Sequence, residues 1–310
     1  MLIIPYQTRF TARSLPVVTL ALIVINALVY FVFQAGDRQT TQAAAEYYFS
    51  SQLPAIELPR YAAVLEKRSD PQSLRVLRAI RAPARGEAAW TAVAAMQRDR
   101  EFMSDLRAGA IVPSSDPVHA TWREQRQRFD ALLKKVFTER YALQPDGSWW
   151  GLLTHQFLHG DSMHWFGNML VLLLAGPFAE AALGRARFLL AYLFAGACAG
   201  GLHLLASGQT LVGASGAIAG VIAAYALSFQ HAWIRVLVLI VIIPIFFWLP
   251  ALLFAGFWFL MQVLQGTTSL FLPAQGGGIA WWAHIGGFAF GLVVGWTLQG
   301  RARRKITYAG

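Results

Sequence analysis

Cysteine is almost absent from this chain of 310 residues: Cys198 stands alone, which excludes an internal disulfide framework and any zinc cluster built on several thiolates. Charge is scarce too. Only 14% of residues are Asp, Glu, Lys or Arg, against roughly a quarter in an ordinary soluble domain. The chain is instead rich in apolar residues, which make up 56% of it, and its mean hydropathy is +0.46. A soluble fold of this size has no core large enough to hide that surface, so the expected solvent is a lipid bilayer.

A formal net charge of +10 and a pI near 10.2 would suit a nucleic-acid binder, so the positions of the charges have to decide. Residues 36–147 hold 17 of the 26 basic and 14 of the 16 acidic residues. That block reads as an ordinary soluble domain. Everything outside it carries 9 basic residues and 2 acidic ones, Asp161 and Glu180. The expected organisation is therefore a cytoplasmic N-terminus and first membrane helix over 1–35, a soluble insertion over 36–147, further membrane helices over 148–300, and a basic tail over 301–310.

A spanning helix needs about 20 apolar residues. Six segments qualify, at roughly 15–34, 162–182, 187–207, 214–230, 236–264 and 281–299. The first is longer than the apolar stretch of a typical cleavable signal peptide and reads as a retained anchor. With both termini cytoplasmic, the nine basic residues outside the insertion (Arg9, Arg13, Arg185, Arg187, Arg235, Arg301, Arg303, Arg304 and Lys305) all fall on the inner side, as the positive-inside rule requires. The opposite loops, 208–213 and 265–280, carry no charge. Basicity thus records membrane orientation, and no nucleic-acid partner is expected. The pattern fits a bacterial plasma membrane.

The insertion then lies outside the cytoplasm. Its apolar spacing predicts one helix near 86–108, with Trp90, Val93, Met96 and Met103, and another near 117–141, with Trp122, Phe129, Leu132, Leu133, Val136 and Phe137. It reads as a helical cap packed on itself. A face that binds substrate or a partner protein is the other reading, and no motif argues for it.

Ionisable and polar residues inside a membrane are costly and usually functional. His164 and Asn168 are four apart near the start of span two; Ser215 and Gly216 open span four; His284 opens span six. In this topology all three helices run inward, so these side chains share one depth. Gly216 and Gly220, and likewise Gly287, Gly291 and Gly295, recur every four residues, a spacing that lets helix backbones approach closely. If those faces pack together, Ser215 meets His284. A serine hydroxyl becomes a useful nucleophile when a neighbouring base takes its proton, and His284 is the candidate base. No carboxylate is placed to orient it, since Glu180 is at the far end of span two and Asp161 precedes that helix. A Ser–His dyad is the expected machinery, with the Ser215 amide, the Asn168 side chain and His164 as oxyanion donors. A metal site of His155, His159 and His164 is the competing chemistry, but the usual carboxylate or thiolate helpers are missing.

At these residues the sequence resembles the rhomboid family of intramembrane serine proteases. Gly213-Ala-Ser215-Gly216 is similar to the family's nucleophile motif, Ala283-His284-Ile-Gly-Gly287-Phe-Ala-Phe-Gly291 to the motif bearing its base, and His164-Trp-Phe-Gly-Asn168 to its oxyanion pair. His159 matches a further recurring histidine with a supporting role, and Glu180 and Gly184 match a Glu-x-x-x-Gly at the inner end of span two. Three departures stand out. Trp149-Trp150 replaces the frequent Trp-Arg; Ala219 occupies the position where several members carry an aromatic against which the base packs; and the loop between spans one and two is far longer than usual.

The resemblance implies an all-α polytopic membrane protein, a six-helix rhomboid-like bundle with a helical extracytoplasmic insertion between helices one and two. It implies hydrolysis of peptide bonds in or beside the transmembrane segments of other proteins, with no cofactor and no metal. It also implies a water-filled cavity open to the outer face. Span five, with Pro244 and Pro250, and the loop Gly276-Gly277-Gly278 are the expected gating elements. An inactive relative that binds or escorts membrane proteins is the non-enzymatic alternative; such relatives typically lose the serine or histidine, and both are present here.

Overall fold

In a bilayer every backbone N–H and C=O has to find its partner within the protein, which favours helices. Helices dominate the residues that the computed structural model describes, namely 2–4, 15–68, 70–81, 87–229, 233–240, 243–271 and 280–307. In chain order the elements are β1 (Leu2–Ile4), α1 (Val17–Leu28, continued by a π turn over Val29–Phe33), α2 (Asp37–Ser50), α3 (Leu53–Arg68), α4 (Pro71–Arg81), α5 (Glu87–Arg98), α6 (Arg100–Arg107), α7 (His119–Leu133), α8 (Phe137–Tyr141), α9 (Gly151–Thr154), α10 (Ser162–Leu183), α11 (Arg185–Ser207), α12 (Ser215–Ser228), β2 (Trp233–Ile240), β3 (Ile243–Pro250), α13 (Ala251–Phe271) and α14 (Trp281–Thr307). They fall into two units, residues 35–140 and residues 1–34 with 141–310.

The unit of 35–140 has its own apolar core, in which Tyr48, Leu53, Met96, Phe102, Leu106 and Phe129 are fully buried. A charged pair sits inside it. Glu57 has no exposed surface and accepts from Tyr48 Oη at 3.1 Å, Trp122 Nε1 at 2.8 Å and Arg126 Nη1 at 3.1 Å. Arg126 Nη2 donates onward to Gln97 Oε1 at 2.8 Å. A buried carboxylate is tolerable when its acceptor sites are filled in this way.

Asp99 corrects the expectation of one helix over 86–108. Its carboxylate accepts the Phe102 N–H at 3.1 Å and so caps α6, splitting the segment into α5 and α6. It also pairs with Arg68, which reaches Glu101 at 2.8 Å. The stretch 117–141 is likewise two helices. The Asp37 carboxylate takes the N–H groups of Phe137 and Thr138 at 2.6 and 2.9 Å, satisfying donors that the first turn of a helix leaves free.

In the other unit, α10, α11 and the helical segment opening with α1 are each long and apolar enough to cross a membrane. Apolar side chains face outward along the helices, among them Val24 (56% exposed), Phe194 (57%), Phe257 (65%) and Trp296 (70%). Such faces suit lipid rather than water. Glu180, near the end of α10 and 4% exposed, closes the N-terminus of α1: it accepts from Val18 N at 3.1 Å, Thr19 N at 2.8 Å and Thr19 Oγ1 at 2.8 Å. A carboxylate there meets both the orphan amides and the positive end of the helix dipole.

Two expectations about the spans need correction. The segment 236–264 is not one helix: β2 and β3 pair antiparallel, with Leu239 opposite Pro244 and Ile240 opposite Ile243, and β1 pairs with β2. The run of Val and Ile after Trp233 favours extended backbone. Pro244 lacks the N–H a helix interior needs, so α13 starts only after Pro250. The described residues are therefore mostly helical with a three-stranded sheet, not all-α. Span four is also shorter than expected. α12 has 14 residues, a rise of about 21 Å at ~1.5 Å per residue, less than the ~30 Å of a hydrocarbon core. The Gly276–Gly278 loop lies outside the described residues.

The unit of 35–140 should weaken in acid. Burial pushes the Asp99 carboxyl up, but Arg68 and the Phe102 amide outweigh it and hold its pKa below the ordinary value. A carboxyl held lower in the folded state than in the unfolded one stabilises fully above its unfolded value and stops doing so as pH falls through the folded one. Asp99→Ala in the full chain should destabilise α6 by about 1 kcal/mol at neutral pH, the usual cost of a lost cap. Amide hydrogen exchange over residues 100–107 checks this, and the difference from wild type should shrink toward pH 2.

Candidate active site

The site is built by a close approach of backbones. A Cβ on Gly287 would overlap the carbonyl oxygen of Gly216, and one on Gly291 would overlap that of Gly220. One helical turn further along, a Cβ on Gly295 would stand 2.8 Å from the Ala224 oxygen. No other residue fits where α14 runs this close to α12. On its other flank α12 meets α11, where Ala199 and Ala195 crowd Gly216 and Gly220. Ser215 immediately precedes the first of these glycines and His284 lies three residues before Gly287. Ser215 Oγ is 2.8 Å from His284 Nε2. Both residues are half-buried.

The turn carrying Ser215 is held by main-chain bonds. Leu143 and Leu211 exchange N–H···O bonds at 3.1 and 2.9 Å, and the Gly213 N–H donates to the His155 carbonyl at 2.8 Å. His155 is itself anchored through Nδ1 to the Gly151 carbonyl at 2.8 Å. Gly213 adopts φ +125°, a conformation L side chains avoid. A Cβ there would also lie 2.7 Å from His164 Cε1. The ring of His164 thus packs on the backbone two residues before Ser215. α12 starts at Ser215, so the amides of its first turn have no partner within the helix.

The other predicted residues lie on α10 or just before it. Asp161 caps that helix by accepting the His164 N–H at 2.8 Å. Asn168 is buried, and its Nδ2 donates to the His164 carbonyl at 3.0 Å; a second N–H on the same nitrogen is left for another acceptor. His159 is 1% exposed. Its backbone N–H and C=O pair reciprocally with the amide of Gln34 at 3.1 and 2.9 Å, and its ring lies edge-on to those of Tyr30 and His164. Trp149 and Trp150 stack on each other at 3.8 Å. Among the described residues, no three His, Cys, Asp or Glu side chains are grouped to share an ion.

Sequence reasoning missed the residues of α13. Gln262, 6% exposed, places Oε1 2.7 Å from His284 Nδ1. One turn earlier, the Trp258 ring lies 5.7 Å from that of His284 at an interplanar angle of 37°. Ala219 itself packs in a cluster with Ala255 and Phe288, and the aromatic ring against His284 comes from α13. The available signal was a glutamine four residues after a tryptophan in the apolar first half of α13.

The Rhomboid domain matches residues 146–301, just over half of the chain, and the chain belongs to the rhomboid family. With its apolar helices it is an integral membrane protein. It is also similar to a Bacillus subtilis (strain 168) protein named "Putative rhomboid protease YdcA", with 38% identity over 82 residues. That stretch is 26% of this chain and 41% of the relative, so the match spans well under half of either protein.

Gly213→Ala tests how tightly the turn is specified. Strained φ and contact with the His164 ring should together cost about 1–3 kcal/mol. A lowered melting temperature in detergent checks this, and Gly109→Ala, where a Cβ meets nothing within 4 Å although φ is +77°, isolates the backbone part.

Proposed function

We propose that the protein is an intramembrane serine endopeptidase that cleaves peptide bonds in or near transmembrane segments of other membrane proteins. The observation that carries this reading is the 2.8 Å contact between Ser215 Oγ and His284 Nε2 at the starts of two helices in a rhomboid domain. The Ser215 hydroxyl gives its proton to Nε2 as Oγ attacks the scissile carbonyl. The oxyanion that forms is met by the free amides of the first turn of α12, whose dipole favours negative charge there. Asn168 and His164 are further donors. His284 then protonates the leaving amine, and water attacks the acyl-enzyme by the same route in reverse.

The shortness of α12 fits the intramembrane setting, because a helix that does not reach across the hydrocarbon leaves one end below the surface, and Ser215 stands at the end assigned here to that depth. Water must reach that point, and polar backbone at membrane depth is tolerated where it lines such a cavity. The topology proposed is cytoplasmic termini with the 36–147 insertion on the outer side of a bacterial inner membrane. A substrate helix has to unwind to present its bond, so helix-breaking residues near the cut, and a small residue just before it, are the expected preference.

Cleavage of a labelled transmembrane substrate in detergent or liposomes tests the reading. Ser215→Ala and His284→Ala should each reduce the rate by about 10⁴-fold or more while the melting temperature holds. Cleavage that persists without Ser215 refutes the mechanism, and an uninterrupted polyleucine substrate cut as fast as one with a glycine or proline refutes the unwinding preference.

A further inference from the structure

A serine–histidine pair works only if the imidazole presents a lone pair, not a proton, to the hydroxyl. In a neutral histidine one nitrogen carries the proton and the other accepts. Which one does so is decided by the partner on the far side of the ring. For His284 that partner is not a carboxylate: Glu180 is engaged by the amides of α1, and Asp161 caps α10. It is an amide. Gln262 Oε1 is 2.7 Å from Nδ1, and Nε2 faces Ser215 Oγ at 2.8 Å.

We propose that Gln262 is the positioning residue of the Ser215–His284 pair: its side-chain carbonyl accepts the Nδ1–H of His284 and so holds the tautomer whose Nε2 receives the Ser215 proton. The inference rests on the reading of Ser215 and His284 as nucleophile and base, and it adds a third member to what the sequence presents as a dyad. Three observations support it. Gln262 is buried at 6% exposure, so water competes little for its carbonyl. Trp258, four residues earlier on the same helix, lies against the imidazole ring, so one face of α13 restrains the ring by contact and by hydrogen bond. Trp281 lies edge-on to His284 at 6.2 Å, limiting rotation from the side of α14.

The direction of the Gln262 amide matters. Turned over, its NH₂ would donate to Nδ1, leave the proton on Nε2 and block transfer from Ser215. A carbonyl acceptor and an amine donor therefore predict opposite tautomers. A glutamate at this position, once ionised, accepts and cannot donate, so it should restore the working tautomer as rising pH overcomes the cost of burying its charge; a leucine can do neither.

Gln262→Leu, Gln262→Glu and Ser215→Ala are to be compared with wild type in the full-length protein, by cleavage of a transmembrane substrate and by the rate of labelling with a fluorophosphonate. Gln262→Leu should lower kcat and the labelling rate by about 10- to 100-fold, the cost of a loosened reacting geometry, with KM little changed. Gln262→Glu should regain activity to within about threefold of wild type as pH rises and the buried carboxyl ionises, because the carboxylate retains the acceptor. The ¹⁵N shifts of His284 in the wild-type protein should report a protonated Nδ1. A protonated Nε2 overturns the assignment even if Gln262→Leu fails to fold, as does a Gln262→Leu enzyme with wild-type kcat. Cleavage that survives Ser215→Ala overturns the underlying Ser–His reading instead. Loss of both activities with Ser215→Ala and no effect of Gln262→Leu overturns only the role of Gln262.

Discussion

Contact between the backbones of α12 and α14 is the constraint on which the rest of the membrane unit depends. Lipid tails are as apolar as leucine, so no hydrophobic force draws two apolar helices together in a bilayer; close packing and polar contacts have to do it. Here Gly216 and Gly220 meet Gly287 and Gly291 without intervening side chains. Because the contact is set by the main chain, the residues at its end inherit a fixed separation. Ser215 and His284 are those residues. A pair of leucine-faced helices would stand at the upper end of the usual 8–10 Å interaxial range, and a serine hydroxyl and an imidazole could not then meet without extending their rotamers.

The same solvent explains how the polar groups are spent. Glu180 is one of two acids outside the charged block, and it serves backbone amides of α1. Gln34 ties its amide to both main-chain groups of His159. His155 secures the backbone of α9 and, through its carbonyl, the turn before Ser215. Polar side chains in this unit therefore satisfy main chain at irregular points, which is what non-helical backbone at membrane depth requires. In the unit of 35–140 charge again caps helices, as Asp99 and Asp37 do, and a buried ion pair is surrounded by donors.

What the sequence disclosed follows from how local each signal is. The contrast between a charged stretch and apolar runs is additive over many residues, so the membrane character was plain. Glycines four apart, with a serine and a histidine beside them, are local patterns too. The hairpin over 233–250 was missed because hydropathy counts apolar residues and is blind to whether valine and isoleucine, with Pro244 among them, prefer extended backbone. The breaks at Asp99 and after Leu133 were missed for a related reason: apolar spacing continues through them, while the stop comes from one carboxylate finding amides, at Phe102 in one case and across 100 positions of chain in the other. Gln262 is the extreme case. It is 22 residues from His284, on a segment whose helical start was misjudged, and only the packed helices bring the two together.

An amide rather than a carboxylate beside His284 is what the bilayer would favour. An ionised acid at that depth bears a large desolvation penalty, which is recovered only when the imidazole is charged; in the resting, neutral enzyme the acid would be buried without a counter-ion. A glutamine orients the ring with a neutral carbonyl and carries a much smaller penalty. The exchange has a consequence for the chemistry. A carboxylate both orients the imidazole and stabilises the imidazolium that forms during attack, whereas an amide supplies the first effect and only a dipole toward the second. In the proposed mechanism, more of the stabilisation of the transition state would then come from the oxyanion side, from the amides opening α12 and the donors proposed on α10. That division of labour matches an arrangement in which a helix N-terminus, and not a buried acid, stands next to the serine.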